Sequence, residues 1–281
     1  MGANRIAGMG WLMRGVPLVA VTALAVAGAA GGTASAAAGA PPAVAGTIST
    51  VAGGVGGPAR ATNVPITDPC GVSVASGLLY IADGQSVRQV DTTDRLTTPA
   101  GTGAPGPLGD GAPAVNASLQ TCAAAVDGSG NLVIADGGNN RVRVVAAHNG
   151  TFYGVAMTAK DIYTVAGDGT AGYAGDGGPA TSAELSDPGA LAIDPAGNLV
   201  ITDTGNDAVR VVAETTGTFY GQAMTAGDIY TVAGNGTDGF AGDGGPATSA
   251  ELGLPEATVT DAAGDLLISD TGSSRIRTVA G

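Results

Sequence analysis

An internal repeat constrains the fold of this chain more than any other sequence feature. Residues 161–212 align with residues 228–279 without a gap, and both copies begin with the string DIYTVAG. Two shorter copies, at residues 70–90 and 121–145, keep an aspartate at the matching position. A period of this length is typical of propellers and solenoids, in which each copy buries its apolar face against the next. The matched aspartates, called landmark aspartates below, are Asp83, Asp136, Asp203 and Asp270.

Each copy divides into four short segments with the composition of β-strands. The strings are LAID (191–194), NLVIT (198–202), VRVV (209–212) and IYTV (162–165). An Asp-x-x-Gly-Asn turn joins the first two segments, and its glycine supplies the positive φ that a tight hairpin needs. No run has the period of a long helix. We therefore expect an all-β fold, a β-propeller of four-stranded blades.

The repeat resembles the NHL-repeat family, and the resemblance covers residues 46–281. It is carried by the strings IYTVAGNG, GDGGPATSAEL and IADGGNNRVRVV. The resemblance implies a β-propeller, usually six-bladed, that serves as a binding or scaffold domain, although some related propellers are enzymes. This sequence departs from that pattern because only four units can be counted.

The two ends of the repeat region suggest how four blades could close into a ring. Arg275–Val279 is the third segment of the last copy, and GTISTVAGG at residues 46–54 looks like an orphan fourth segment. Because an unpaired sheet edge is a hazard, we expect Thr47–Val51 to pair beside Arg275–Val279. The alternatives are an open part of a six-bladed propeller, half of a dimeric ring, or a truncated copy of a longer NHL array.

The first residues have the features of a signal peptide. Arg5 and Arg14 precede an uncharged apolar stretch at residues 15–31, and Ala34-Ser35-Ala36 forms a small-residue cleavage site. We expect a signal peptide at residues 1–36, a linker at 37–45 and the propeller domain at 46–281. The mature protein is then secreted and extracellular, without attachment to a membrane.

The charge balance limits the partners of this chain. It has 24 acidic and 11 basic residues, a net charge of −13. Nucleic acids and anionic membranes are excluded as partners because both require a basic surface. A protein or carbohydrate partner remains, and the sequence leaves its identity, the face that it uses and the oligomeric state open.

Seven aspartates are expected around one mouth of the central channel. The four landmark aspartates lie at turns between second and third segments, and Asp168, Asp176 and Asp243 lie in loops that enter the next copy. One interpretation is structural, because each third segment carries a matched arginine that could pair with its landmark aspartate. The other is a cation or basic-ligand site. No cofactor is predicted, and calcium is the alternative. The matched arginines are Arg88, Arg143, Arg210 and Arg277.

Cys70 and Cys122 occupy the same repeat position in neighbouring copies, four residues before the matched Val74 and Val126. In an oxidising compartment we expect them to form a disulfide between adjacent blades. The alternative is a pair of free, buried thiols.

Two copies contain an aromatic insertion between the third and fourth segments. Phe152 and Tyr153 match Phe219 and Tyr220. We expect these insertions to form extended hairpins. Their aromatic rings either anchor the hairpins by packing or form an exposed surface that stacks on sugars or a partner.

The sequence lacks the usual marks of an enzyme. His148 is the single histidine, and it lies in an insertion on the face opposite the aspartates, which excludes a His-based triad at the channel. Glu256 breaks the repeat where other copies have Cys or Gly, and it is the one catalytic candidate. We therefore predict a secreted non-catalytic binding or scaffold propeller. A metal-dependent hydrolase or lactonase using Glu256 is the alternative.

Overall fold

The structure is a computed structural model that describes residues 48–53, 60–106 and 108–281. The expected signal peptide (1–36), the linker (37–45) and Thr47 lie outside the described residues. A search of the described part finds no helix with the length and apolar character needed to cross a membrane.

The fold is all-β, and its antiparallel sheets follow one another as the four blades of a propeller arrangement. The first blade comprises β1 (Pro69–Ala75), β2 (Leu78–Asp83), β3 (Val87–Val90) and β4 (Leu96–Ala100). The second comprises β5 (Ala112–Pro113), β6 (Ala123–Val126), β7 (Leu132–Asp136), β8 (Arg141–Val145) and, after the hairpin strands β9 (Gly150–Phe152) and β10 (Val155–Met157), β11 (Asp161–Ala166).

The third and fourth blades repeat this plan. The third comprises β12 (Gly178–Pro179), β13 (Pro188–Ile193), β14 (Leu199–Asp203), β15 (Ala208–Val212) and, after the hairpin strands β16 (Gly217–Phe219) and β17 (Gln222–Met224), β18 (Asp228–Ala233). The fourth comprises β19 (Pro255–Thr260), β20 (Leu266–Asp270) and β21 (Arg275–Val279). Short 3-10 turns lie at Ala61–Asn63, Ala114–Asn116, Gly137–Asn139, Ala180–Ser182, Thr204–Asn206 and Ala247–Ser249. The predicted β-propeller class and the count of four blades are confirmed, and six blades are not supported.

The Asp-x-x-Gly-Asn turns form as the sequence predicts. In the third blade, the carboxylate of Asp194 accepts hydrogen bonds from the backbone amides of Ala196 and Asn198, and Gly197 has a φ of +88°. The side chain of Asn198 then accepts a bond from the amide of Glu214. The turn between the first two strands is therefore tied to the start of the insertion on the same face.

The apolar core lies between blades, because each strand presents alternate side chains to opposite faces of its sheet. Between the third and fourth blades, Val200 and Val209 pack in one cluster with Leu252, Leu266 and Ile268. All five side chains are almost completely buried. Burial of apolar surface between successive sheets is what holds the blades together.

The predicted closure by Thr47–Val51 does not form in the described residues. Arg275–Val279 pairs with β20 alone, and Ile48 and Val51 lie outside any strand with 100% and 59% of their surface exposed. The physical reason is that the first blade is not packed against the fourth, since Val72 of β1 is 68% exposed. Among the described residues, the four blades therefore form an open arc and not a closed ring.

The predicted insertion hairpins are confirmed. Strand β9 pairs antiparallel with β10 in the second blade, and β16 pairs with β17 in the third. Tyr153 and Tyr220 occupy the turns of these hairpins with a positive φ of 50° and 51°. Both hairpins lie on the face that carries the Asp-x-x-Gly-Asn turns, because the two tyrosine hydroxyls contact aspartates of those turns.

Candidate functional site

Each landmark aspartate is the last residue of the second strand of its blade. The four side chains are at most 4% exposed, although they lie next to a turn. One carboxylate oxygen of each landmark aspartate accepts a hydrogen bond from a backbone amide in the loop that leads into the first strand of the same blade. The donors are Thr67 and Asp68 for Asp83, Gln120 for Asp136, Ser186 for Asp203 and Gly253 for Asp270, at 2.7–2.8 Å.

The second oxygen of each landmark aspartate faces the matched arginine of the third strand. The N–O distances are 3.1 Å for Arg88–Asp83, 3.6 Å for Arg143–Asp136, 3.5 Å for Arg210–Asp203 and 3.3 Å for Arg277–Asp270. The Asp–Arg pair of the structural interpretation is therefore present in all four blades. The side chains of Arg143 and Arg210 are completely buried.

Three of these arginines contact a second carboxylate on the solvent side. Asp176 lies 2.7 Å from Arg210, and Asp243 lies 2.9 Å from Arg277. The third member is Asp110, which was not among the predicted site residues and lies 2.5 Å from Arg143. The signal for it was the GDG string at residues 109–111, which matches the GDGG strings of the other copies.

Burial changes the acidity of two landmark aspartates. Burial raises the pKa of Asp136 above its ordinary value, against the opposing effect of hydrogen bonds from Gln120 and Asn139. Burial likewise raises the pKa of Asp203 to about 6, although Asn206, Ser186 and Arg210 act in the opposite direction. For both carboxylates, the loss of water around the charged form outweighs the stabilisation of that form by the neighbouring hydrogen bonds and arginine.

Asp168 belongs to a local turn. Its carboxylate accepts a hydrogen bond from the amide of Thr170 at 2.6 Å, and this bond lowers the pKa of Asp168. The matching residue of the next copy, Asn235, accepts an equivalent bond from the amide of Thr237. Aspartate and asparagine therefore make the same Asx-turn at this position, and this local turn accounts for Asp168.

The four landmark aspartates do not fit a calcium site. Calcium prefers six to eight oxygen ligands, whereas each landmark aspartate already binds backbone amides through one oxygen and faces a guanidinium through the other. A cation at such a carboxylate would have to displace the arginine paired with it. Across the described ranges, no group of three or more His, Cys, Asp or Glu side chains is arranged to hold a metal ion.

The predicted disulfide between Cys70 and Cys122 is confirmed. Their Cα atoms are 5.0 Å apart, and the bond joins β1 of the first blade to the residue before β6 of the second. The two backbones approach closely here, since a Cβ atom added to Gly71 would clash with the carbonyl oxygen of Cys122. The two innermost strands are therefore linked covalently at this point.

Of the two interpretations of Phe152, Tyr153, Phe219 and Tyr220, the exposed aromatic surface is not found. Phe152 and Tyr153 are 6% and 2% exposed, and Phe219 and Tyr220 are partly buried. Their rings pack into the cores beside the hairpins, and the hydroxyls of Tyr153 and Tyr220 contact Asp127 and Asp194 at 3.2 and 3.0 Å. Burial, together with these carboxylates, raises the pKa of both hydroxyls. The rings anchor the hairpins.

The exposed aromatic rings lie instead among the loops that carry Asp176 and Asp243. Tyr173 is 40% exposed and Phe240 is 41% exposed. The guanidinium of Arg210 lies 5.5 Å from the centre of the Tyr173 ring, and Arg275 lies 3.6 Å from that of Phe240. Each ring therefore lies close to an arginine and leaves part of its surface to solvent.

Neither of the remaining chemical candidates sits in a catalytic arrangement. The exposed carboxylate of Glu256 accepts one hydrogen bond, from the hydroxyl of Thr271 at 3.3 Å. His148 is exposed and packs edge-on against Phe152 of the hairpin, with 5.1 Å between ring centres. An acid–base pair or a positioned nucleophile is what a catalytic site requires, and these contacts provide neither.

Comparisons with known proteins agree on the fold. No family model matches the chain. Human (Homo sapiens) Teneurin-1 is 25% identical over 246 residues, which make up 79% of this chain and 8% of Teneurin-1. A solved protein of unknown function from Bacteroides thetaiotaomicron superposes with a TM-score of 0.56 at 18% identity, covering 75% of this chain and 46% of that one.

A streptogramin B lyase superposes less closely, with a TM-score of 0.44 at 12% identity over 76% of this chain and 55% of the lyase. The chain thus spans less than half of the Bacteroides protein and a small fraction of Teneurin-1. The structural neighbours are β-propeller proteins, and at these identities the likeness is one of fold.

Proposed function

We propose that this chain is an exported β-propeller of the NHL type that acts as a binding or scaffold module and not as an enzyme. The NHL assignment is supported by the repeated strings IYTVAGNG and GDGGPATSAEL on a propeller fold. Export is supported by the Ala34-Ser35-Ala36 string, which marks residues 1–36 as a signal peptide and 37–45 as a linker before the domain at 46–281. The disulfide between Cys70 and Cys122 fits an oxidising compartment.

The observation that carries the non-catalytic proposal is how the landmark aspartates use their charge. Every landmark aspartate faces its own arginine, and the same pair recurs from blade to blade. Catalysis requires different groups converging on one place, whereas a repeated ion pair serves the stability of each blade. The charged groups of the landmark aspartates and their arginines are thus used to hold each blade together.

We propose the loops around Tyr173 and Asp176 as the binding surface. Tyr173 presents a ring that is 40% exposed, and the side chain of Asp176 is 45% exposed beyond its contact with Arg210. An aromatic face beside a carboxylate suits a carbohydrate, whose C–H groups stack on the ring while its hydroxyls donate to the acid. A protein partner could use the same surface.

An array of immobilised bacterial and plant polysaccharides tests this proposal. We expect binding by the wild-type chain and at least a tenfold weaker signal for Tyr173→Ala. Thr218→Ala, at an exposed position of β16 on the hairpin face, is the matched control and should bind like wild type. Equal binding by all three proteins would exclude the Tyr173 surface.

The hydrolase alternative is tested separately by calcium. The non-catalytic proposal predicts no change in the melting temperature when calcium is added, and no turnover of lactone substrates. A calcium-dependent increase of several degrees that is lost in Glu256→Ala would instead support a metal-dependent enzyme.

A further inference from the structure

A groove runs along the free edge of β21 in the fourth blade. It has a volume of about 340 Å³ and lies between Ile276–Val279 on one side and the loop from Gly242 to Ala247 on the other. Phe240 and Leu252 contribute apolar surface to its walls. The backbone of β21 is paired on its other side with β20, so this edge offers unpaired backbone groups to a further strand.

In the third blade, the equivalent groove is filled by the fourth strand. Strand β18 pairs with β15 on one side and with Gly178–Pro179 on the other. The matching positions of the next repeat are β21 and Gly245–Pro246, and both β21 and Gly245 line the groove. The groove therefore has the shape and the backbone groups for a strand of the β18 type.

The chain contains a spare strand of that type. Residues Ile48–Gly53 have the sequence ISTVAG, which follows the pattern of IYTVAG at 162–167 and 229–234. The amide of Gly53 donates to the carbonyl of Ala61 at 2.9 Å, as Gly167 does to Ala180. Ile48 and Val51 are 100% and 59% exposed, whereas the matching residues of β11 and β18 are at most 2% exposed.

The first and fourth blades each expose an apolar sheet face of the kind that successive blades bury against each other within the chain. Leu267 and Ile276 of the fourth blade are 39% and 69% exposed, although the matching Val200 and Val209 of the third blade are completely buried against the fourth. On the first blade, Val72 pairs across the sheet with Ile81, as Leu191 does with Ile201. Within the part of the chain that the structure describes, Val72 remains 68% exposed and is covered by no neighbouring blade. Exposed apolar patches of this kind mark interaction sites.

We propose that two copies of this chain assemble head to tail, and that Ile48–Val51 of each copy becomes the fourth strand of the other copy's last blade. The contact uses the packing that neighbouring blades already use within the chain. It is heterologous, and it closes when two arcs complete a ring. Two arcs of four blades make eight, which is within the range that propellers adopt.

The pairing of β15 with β18 fixes the expected register. Val211 lies opposite Tyr230, and Val212 lies opposite Ile229. In the assembly, Thr278 of one copy therefore lies opposite Ser49 of the other, and Val279 lies opposite Ile48. Residues directly opposite in antiparallel strands have Cβ atoms close enough for a disulfide.

Cysteine cross-linking between two differently tagged chains tests this register. One chain carries Ser49→Cys and the other carries Thr278→Cys. We expect a covalent heterodimer on a non-reducing gel after mild oxidation, and none when Thr278→Cys is replaced by Thr92→Cys at an exposed turn of the first blade. Absence of the heterodimer would overturn the proposal. So would a cross-link that forms only within one chain carrying both cysteines.

The mass in solution provides an independent test. Light scattering after size-exclusion chromatography should give twice the chain mass for wild type and the single mass for Ile48→Asp/Val51→Asp. Thr62→Asp/Thr92→Asp adds the same charge at exposed sites and should remain a dimer. A monomeric wild type, an unaffected Ile48→Asp/Val51→Asp dimer or an open-ended assembly of more than two copies would contradict the closed pair.

Discussion

The guanidinium of Arg210 lies 3.5 Å from the carboxylate of Asp203, and both side chains are completely buried. The same guanidinium contacts Asp176 at 2.7 Å and donates to the carbonyl oxygens of Glu184 and Ala174. One side chain therefore joins the second and third strands of its blade to the loop that enters the blade. An equivalent Asp–Arg pair connects the second and third strands in each of the other three blades.

Loss of Arg210 should destabilise the protein strongly. Arg210→Met keeps most of the side-chain volume but leaves Asp203 as a buried carboxylate without its counter-charge. Removal of one partner of a buried ion pair typically costs about 3–5 kcal/mol. We expect a loss of this size in the free energy of unfolding, measured by urea denaturation.

Arg88→Met is the matched control in the first blade. The side chain of Arg88 is 23% exposed and pairs with one carboxylate, that of Asp83. Water already shares in its solvation, so the expected loss is less than half of that at Arg210. Equal losses in the two variants would show that burial of the pair does not decide its contribution.

Asp203 should make stability depend on pH in a direction opposite to that of an ordinary ion-paired carboxylate. Its pKa in the folded protein, about 6, lies above the ordinary value of 3.8, so the folded chain holds this proton more tightly than the unfolded chain does. Its contribution to stability is full below the ordinary value and is lost as the pH rises through about 6. Between pH 7 and pH 5, wild type should gain about 1 kcal/mol of unfolding free energy relative to Asp203→Asn.

Urea denaturation at a series of pH values checks this sign. Asp238→Asn changes an exposed aspartate and should keep the pH dependence of wild type. If wild type instead loses stability relative to Asp203→Asn on acidification, Asp203 is held ionised and the proposed effect of burial is wrong.

Much of the fold could be predicted because the repeat carries its own local signals. The glycine of each Asp-x-x-Gly-Asn turn fixes a hairpin, and matched positions such as Asp203 and Arg210 reveal a contact that recurs in every blade. The position of Cys70 and Cys122 at one repeat position in neighbouring copies was enough to predict their bond. These relationships are short-range or periodic, so they can be read directly from the sequence.

The remaining features depend on how blades pack, which the repeat does not encode. The exposure of Ile48 follows from the absence of packing between the first and last blades in the described structure, a relationship with no local sequence signal. The burial of Tyr153 depends on the neighbouring blade, because Tyr153 belongs to one buried cluster with Leu199 and Ile201 of that blade. Asp110 was missed because its copy diverges around the GDG string.

The disulfide should contribute substantially to stability. It joins residues separated by 52 positions, and the chain-entropy model assigns about 4 kcal/mol to a closed loop of this length. We expect Cys70→Ser/Cys122→Ser to lower the free energy of unfolding by this order, measured in urea. Addition of a reductant should shift the wild-type midpoint to that of the variant and leave the variant unchanged. A shift of the variant on reduction would contradict the assignment.

The contact between successive insertions offers a matched test of packing between blades. Gly154 and Gly221 occupy the same hairpin position with φ of +77° and +73°, so alanine meets the same backbone strain at both. A Cβ atom at Gly154 would lie 2.8 Å from Cα of Gly227 in the next blade, whereas nothing lies within 4 Å of one at Gly221. Gly221→Ala should therefore cost about 1 kcal/mol, the usual penalty of a left-handed residue, and Gly154→Ala about 1–2 kcal/mol more. Urea denaturation measures the difference, and faster hydrogen exchange at the Tyr153 amide should accompany Gly154→Ala alone. Equal losses would mean that the two insertions do not pack against each other in solution.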